Sequence, residues 1–110
     1  MDDAENRTLI VARADAADTG RIAELFAESD DSELPQLAGV TRRTLFSFHG
    51  LYFHLIESRS AGGPDLPALS GHLLFTNIST GLRPYVRPYD PHWRGPQDAV
   101  AAPFYQWSQR

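Results

Sequence analysis

Two side chains of this sequence could do chemistry together: His54 could transfer protons, and Arg43 could stabilise negative charge. A guanidinium is always charged, and its planar fork can hold two oxygen atoms at once. An imidazole beside such a cation has its charged form disfavoured, so it stays neutral and can accept a proton. The pair therefore predicts a site that removes a proton and stabilises negative charge on oxygen, provided that the fold brings the two side chains together.

A β-hairpin over Gly39–Glu57 would bring them together. Its two runs are rich in β-branched and aromatic residues and meet at His49-Gly50, where a glycine suits the positive φ of a type I′ turn. Side chains alternate along a strand, so one face of the hairpin is centred on His54, with neighbours roughly 5–8 Å away. Those neighbours are Leu45, Arg43, Ser47 and Tyr52.

The opposite face of the hairpin is apolar, and it ends in a cross-strand pair of Arg42 with Glu57 that we interpret as structural. Its predicted facing pairs are Phe48 with Leu51, Phe46 with Phe53, and Thr44 with Leu55. A two-stranded unit with two such faces is not stable alone, because each face needs a cover. The rest of the chain must supply those covers.

Further elements are predicted on both sides of the hairpin. Residues 8–14 alternate as a strand, and helical spacing follows up to Ser29 after an acidic variant of the capping box at Asp15 and Asp18. A loop through Pro35 leads to the hairpin, and residues 60–67 form a second loop by composition.

The C-terminal half predicts a second helix from Leu74 to Tyr85, which Pro84 should kink or end. Residues 84–103 are rich in proline and resemble a lid or wrap more than a regular element. Residues 104–108 alternate as a short aromatic strand. The order βαββαβ predicts an α+β, ferredoxin-like fold with a four-stranded antiparallel sheet and both helices on one face.

The other face of that sheet would be left open. An exposed apolar patch of that size is unusual on a monomer, so we expect a homodimer of the dimeric α+β barrel type.

Composition excludes several classes of function. A chain of 110 residues predicts a single domain, 1–110, and a net charge of −4 without a basic stripe makes nucleic acid a poor ligand. The absence of cysteine excludes disulfides and thiolate chemistry. The histidines have no metal-ligand spacing, and no apolar run is long enough for a membrane span. A cytoplasmic protein without metal is the expectation.

The run at 27–57, AESDDSELPQLAGVTRRTLFSFHGLYFHLIE, resembles the tetracenomycin-type aromatic polyketide cyclases, small bacterial enzymes with a dimeric ferredoxin-like fold. The similarity continues more weakly through HLLF at 72–75, Pro88-Tyr89, Trp93 and FYQW at 104–107. It therefore covers nearly the whole chain.

This resemblance implies ring closure and aromatisation of a partly cyclised poly-β-ketone by aldol condensation and loss of water, in antibiotic biosynthesis, with no cofactor or metal. The positions that carry the family's proposed catalysis match Asp30, Arg43 and His54. A fourth position, histidine in the family, is Ser29 here. A second departure is SAGGPDLPALSG at 60–71, where relatives have a more regular helix, so the cavity mouth is expected to differ.

In that chemistry a carbon between two carbonyls loses a proton, and the enolate and aldol alkoxide need a cation nearby. We assign proton transfer to His54, charge stabilisation to Arg43, and to Asp30 the orientation of His54 or a second acid-base role. The candidate substrate-binding residues are Ser29, Ser47, Tyr52, Phe104, Tyr105 and Trp107.

Each candidate also has a purely structural interpretation. A strand histidine beside Leu45 is satisfied by one hydrogen bond, and Arg43 suits a dimer interface or an ion pair with Asp30 or Asp31. An acid at a helix end often accepts backbone N–H bonds, and aromatic residues in a small domain are often plain core.

Two other functions remain open. Dimeric ferredoxin-like domains also host cofactor-independent monooxygenases that act on anthrones. A non-catalytic module that binds the polyketide, steers ring closure or contacts polyketide synthase components would carry similar features. Oxygen uptake would indicate the first, and binding without rate acceleration the second.

Overall fold

Three antiparallel strands form the sheet in the computed structural model, which describes residues 6–59 and 71–109. Strand β1 is Asn6–Arg13, β2 is Val40–Phe48 and β3 is Leu51–Ser58. Their spatial order is β1-β3-β2, so β3 is the central strand and pairs with both others. Strand β1 begins two residues before the predicted Thr8.

The predicted hairpin is confirmed in its turn and in its register. His49 has φ 49° and Gly50 has φ 79°, as a type I′ turn requires at both central positions. Leu45 pairs with His54 and Arg43 with Ile56, and the predicted apolar pairs are also present. A bulge between Val40 and Arg42 shifts the register only at the far end of β2.

Helix α1 spans Thr19–Asp30, and helix α3 spans Leu73–Leu82. The second of these confirms the predicted C-terminal helix, which ends just before Pro84 because a proline lacks the N–H that the helix needs and crowds the preceding turn. The two helices pack against each other over one face of the sheet. No helix of the described residues has the length and apolar character to cross a membrane.

The start of α1 differs from the predicted capping box. Asp15 precedes a 3-10 turn at Ala16–Asp18, and neither Asp15 nor Asp18 makes a side-chain capping bond. The turn is closed by backbone instead, since the Asp18 N–H donates to the Asp15 carbonyl at 3.0 Å. The hydroxyl of Thr19 also donates to the Ala16 carbonyl, at 3.0 Å.

The predicted loop before the hairpin contains a short helix, α2, at Leu34–Ala38. Pro35 lies in its first turn, where a missing N–H costs nothing, and Gly39 ends it with φ 73°. Leu34, the first residue of this helix, is buried in the core.

Burial alternates along β3 and shows which face of the sheet the helices cover. Tyr52, His54, Ile56 and Ser58 are buried beneath the helices, whereas the residues between them are partly exposed. The apolar face of the hairpin is therefore the open one. On that face Phe46 is 51% exposed and Phe48 60%.

The predicted fourth strand at 104–108 does not form. The chain does approach β1, because Val100 forms an isolated bridge with Ile10 and the Ala101 N–H donates to the Leu9 carbonyl at 2.8 Å. Pro103 cannot donate a ladder hydrogen bond, so the pairing stops there and Phe104 is 99% exposed. The predicted loop at 60–67 lies outside the described residues.

Candidate functional site

Arg43 lies at the centre of the polar cluster on the buried face of the sheet. Its Nη1 is 2.8 Å from Nε2 of His54. Its other edge contacts Asp30, with Nη2 to Oδ1 at 2.7 Å and Nε to Oδ1 and Oδ2 at 3.1 Å. One guanidinium thus joins a carboxylate on one side to an imidazole on the other.

Three elements position this cluster. Arg43 projects from β2 and His54 from β3, one diagonal step apart on the same face, while Asp30 is the last residue of α1. A carboxylate at a helix C-terminus is disfavoured by the helix macrodipole, and the Arg43 ion pair offsets that effect. Asp30 therefore orients Arg43, and the described contacts do not bring it to His54.

The hydrogen bond between Arg43 and His54 determines where the imidazole carries its proton. Arginine can only donate, so Nε2 of His54 must accept, and the proton of the neutral ring lies on Nδ1. That nitrogen faces the Tyr52 hydroxyl at 3.4 Å, a long contact. The Nε2 lone pair is thus directed at Arg43.

Burial lowers the pKa of His54 to about 3, and the charge of Arg43 contributes to the same shift. The side chain is only 6% exposed and packs edge-on against Phe26, with ring centroids 5.1 Å apart. Phe26 also lies under the guanidinium, 4.9 Å from Cζ of Arg43. Burial also raises the pKa of Tyr52, although Arg43 opposes that shift, so the phenol stays protonated near neutral pH.

The lowered pKa of His54 predicts a loss of stability in mild acid. Below pH 6.5 the unfolded chain binds a proton at this histidine and the folded chain does not until about pH 3, so the free energy of unfolding falls as the pH falls. The slope is about 1.4 kcal/mol per pH unit, or about 2 kcal/mol between pH 7 and 5. Urea unfolding at both pH values should show this loss, and His54→Gln should lack it. An equal loss in the two proteins would contradict the assignment.

A cavity of about 440 Å³ lies beside the cluster, within the described residues. Arg43, His54, Tyr52 and Ser29 line it together with apolar side chains of the sheet and α1. Helix α3 and the segment at 83–99, which ends in a 3-10 turn at Pro96–Ala99, cover it. The covering apolar residues include Phe75, Ile78, Leu82, Val86 and Trp93.

Several predicted substrate contacts lie elsewhere. Ser47 lines a second cavity of about 440 Å³ near the start of α1, and Tyr52 lines both cavities. The C-terminal aromatics do not line the main cavity, since Phe104, Tyr105 and Trp107 are 99%, 79% and 70% exposed. Within residues 6–59 and 71–109, no three His, Asp or Glu side chains are grouped as metal ligands.

The covering residues were missed as site residues. The spacing at 74–85 predicts a helix without assigning its residues to a site, and Phe26 falls within the helical spacing that ends near Ser29. Their signal is the helical spacing of large apolar residues next to a proline-rich segment, which indicates a cover without indicating a space beneath it.

The polyketide synthesis cyclase family model matches residues 6–108. This chain belongs to that family. The membership confirms the family expected from the motifs at 27–57, and cyclisation of a polyketide is the activity that the family carries.

Curated relatives of this polyketide cyclase come from Streptomyces. It is 41% identical to tetracenomycin F2 cyclase of Streptomyces glaucescens over 102 residues, covering 93% of this chain and 94% of the relative. It is 45% identical to polyketide synthase CurG of Streptomyces cyaneus over 105 residues, covering 94% and 98%. An uncharacterized protein of Streptomyces coelicolor is 51% identical over 106 residues, covering 94% and 96%.

A solved structure also matches this cyclase. Tetracenomycin F2 cyclase of Streptomyces glaucescens, a type-II polyketide cyclase, superposes with a TM-score of 0.84 at 40% identity, covering 94% of this chain and 98% of that one. The mixed α and β architecture is therefore shared.

Proposed function

We propose that this cyclase closes a ring of a partly cyclised poly-β-ketone by intramolecular aldol condensation and then removes water, without a cofactor. The observation that carries the proposal is the 2.8 Å contact between Arg43 and His54 at the wall of a cavity of about 440 Å³. That volume is in the range typical of small-molecule sites, about 300–1,000 Å³. Its apolar lining suits flat, fused rings.

Proton removal is the first step. A carbonyl oxygen of the substrate takes over the Nη1–H of Arg43, and this frees the Nε2 lone pair of His54. The imidazole then removes a proton from the carbon between two carbonyls, and the negative charge moves to the oxygen held by Arg43. The pKa of about 3 makes His54 a weak base, so the enolate must be stabilised strongly by the guanidinium.

Bond formation and loss of water follow. The enolate carbon attacks a second carbonyl carbon, and the imidazolium returns its proton to the resulting alkoxide. His54 then removes the remaining proton from the same carbon and transfers it to the departing hydroxyl, which leaves as water. Because its pKa is low, protonated His54 is a strong acid, which suits protonation of a poor leaving group.

Asp30 has a positioning role in this proposal. Its carboxylate holds two nitrogens of Arg43 and leaves the Nη1 edge directed at His54 and the cavity. Ser29 and Tyr52 line the same space and are proposed to contact substrate. The proposed roles of Ser47, Phe104, Tyr105 and Trp107 would require a partner chain or a different arrangement of the C-terminal segment.

The function is tested by turnover in the absence of metal and cofactor. Tetracenomycin F2, which the name of one relative specifies, is the first compound to try, followed by intermediates made by a reconstituted synthase. A product lighter by one water, formed faster with protein than without, supports the proposal. Dioxygen consumption would indicate the monooxygenase instead. Binding without rate acceleration would indicate a steering module.

We further propose a homodimer through the open face of the sheet. Leu9, Val11, Phe53 and Leu55 lie on that face beside the half-exposed Phe46 and Phe48, and soluble monomers rarely expose so large an apolar patch. A second copy would also complete the dimeric α+β barrel.

Contact with polyketide synthase components is also proposed, because a reactive intermediate must reach the cavity before it cyclises unaided. The proposed location is therefore that of the synthase, the cytoplasm.

A charge placed on this face should separate the two copies. Phe46→Glu is expected to weaken the dimer at least tenfold in analytical ultracentrifugation, because a buried, unpaired carboxylate costs several kcal/mol. Gln36→Glu adds the same charge at an exposed position of α2, away from the open face of the sheet, and should leave association unchanged. A wild-type protein that sediments as a monomer at high concentration would overturn the dimer.

A further inference from the structure

The main cavity has the opposite charge to the protein that contains it. The chain carries 14 acidic and 10 basic residues, yet the lining of this cavity includes four arginines and no Asp or Glu among the described residues. A cleft lined by one sign of charge and by apolar walls concentrates ions of the other sign. The selection of arginine here therefore points to a negatively charged ligand.

One of the four arginines is already neutralised. Arg43 lies deep in the cavity, its side chain is 14% exposed, and Asp30 holds it through Nε and Nη2. The other three, Arg83, Arg87 and Arg94, are exposed and belong to the segment that covers the cavity. We call these three the rim arginines.

The rim arginines have little carboxylate compensation. Arg87 approaches Asp15 at 3.7 Å, but both side chains are more than half exposed. Neither Arg83 nor Arg94 forms an ion pair with any described carboxylate. Asp98 is close to Arg94, but its Oδ2 accepts from the backbone N–H of Arg94 at 2.8 Å and of Gly95 at 3.4 Å.

We propose that Arg83 and Arg94 bind an oxyanion, carboxylate or phosphate, carried by the substrate while its rings occupy the cavity. This inference rests on the proposed function and names the chemical class of its substrate. Guanidinium groups hold such oxyanions through paired hydrogen bonds, and they hold them more strongly beside apolar walls than in water. Anchoring one end of the substrate at the rim would determine which carbonyls reach Arg43.

The test uses two probes of nearly the same shape, of which only the first is charged: anthraquinone-2-carboxylate and anthraquinone-2-carboxamide. Calorimetric titration at low salt should show wild-type protein preferring the carboxylate by about tenfold, since a charged hydrogen bond adds at least that much affinity. Arg83→Gln with Arg94→Gln should remove the preference and leave binding of the amide unchanged. Arg21→Gln removes one exposed positive charge on α1, outside the cavity, and should keep the preference. Equal binding of both probes by wild type, or a preference that survives in the double variant, would overturn the inference.

A second pair of probes distinguishes the source of the oxyanion. If 4′-phosphopantetheine binds more tightly than pantetheine, and only while Arg83 and Arg94 are present, the ligand is the phosphate of a tethered chain. If this difference is absent and the carboxylate preference is present, the ligand is the free acid. Arg43→Gln should keep the carboxylate preference. If Arg43→Gln keeps full ring-closing activity and normal probe selectivity, the proposed mechanism is wrong and the proposal for the rim arginines still holds.

Discussion

Replacing Arg43 with glutamine is expected to lower kcat for ring closure by roughly 10²–10³, the usual effect of removing one preorganised donor to a developing oxyanion. The glutamine keeps a polar group but is shorter, has no charge and cannot hold Asp30 and a substrate oxygen together. Arg43→Lys should recover little of the loss, because an ammonium cannot reproduce the fork that contacts both Asp30 and His54. Single-turnover product formation would measure the effect.

Arg42→Gln is the matched control for this prediction. Arg42 is the next residue on β2, points to the opposite face of the sheet, and has a side chain 74% exposed with only a 3.9 Å contact to Glu57. It therefore removes the same charge from the same strand without touching the cavity, and activity should stay within twofold. If Arg43→Gln and Arg42→Gln were equally active, the guanidinium would have no part in the chemistry.

Replacing His54 should separate its two possible roles. In His54→Gln the side-chain oxygen still accepts from Nη1 of Arg43 but cannot carry a proton, whereas in His54→Leu both properties are lost. If the imidazole transfers protons, kcat should fall by roughly 10²–10⁴ in both variants. If it only positions Arg43, the glutamine variant should retain most of the activity.

The pH profile gives an independent measure of the same role. Wild type should keep its activity from pH 8 down to pH 5, because the pKa of His54 lies near 3 and the ring stays neutral throughout that range. A fall in kcat/KM centred near pH 6.5 would show an imidazole with an ordinary pKa. It would contradict the buried, arginine-paired arrangement.

The hairpin was the most predictable part of the fold and of the site. A two-residue turn with glycine at its second position determines the register, and the register places Arg43 and Tyr52 beside His54. The family resemblance pointed to Asp30, and the expected ion pair of Arg43 with Asp30 or Asp31 forms with Asp30. The register of the hairpin depends on short-range geometry, which is why it could be predicted.

The sequence did not predict which face of the hairpin the helices would cover. The face with Phe46 and Phe48 is the more apolar, yet α1 and α3 cover the face with Tyr52 and His54. Residue type alone does not decide this, because the choice depends on where the connections place the helices. The same limit applies to the fourth strand, since alternation at 104–108 suggested pairing while Pro103 removed the donor needed to continue it.

Tyr52 is the one described residue that lines both cavities, which have similar volumes. Exchanging its ring for a small side chain should enlarge the space on both sides of it, with the guanidinium of Arg43 and its carboxylate partner left in place.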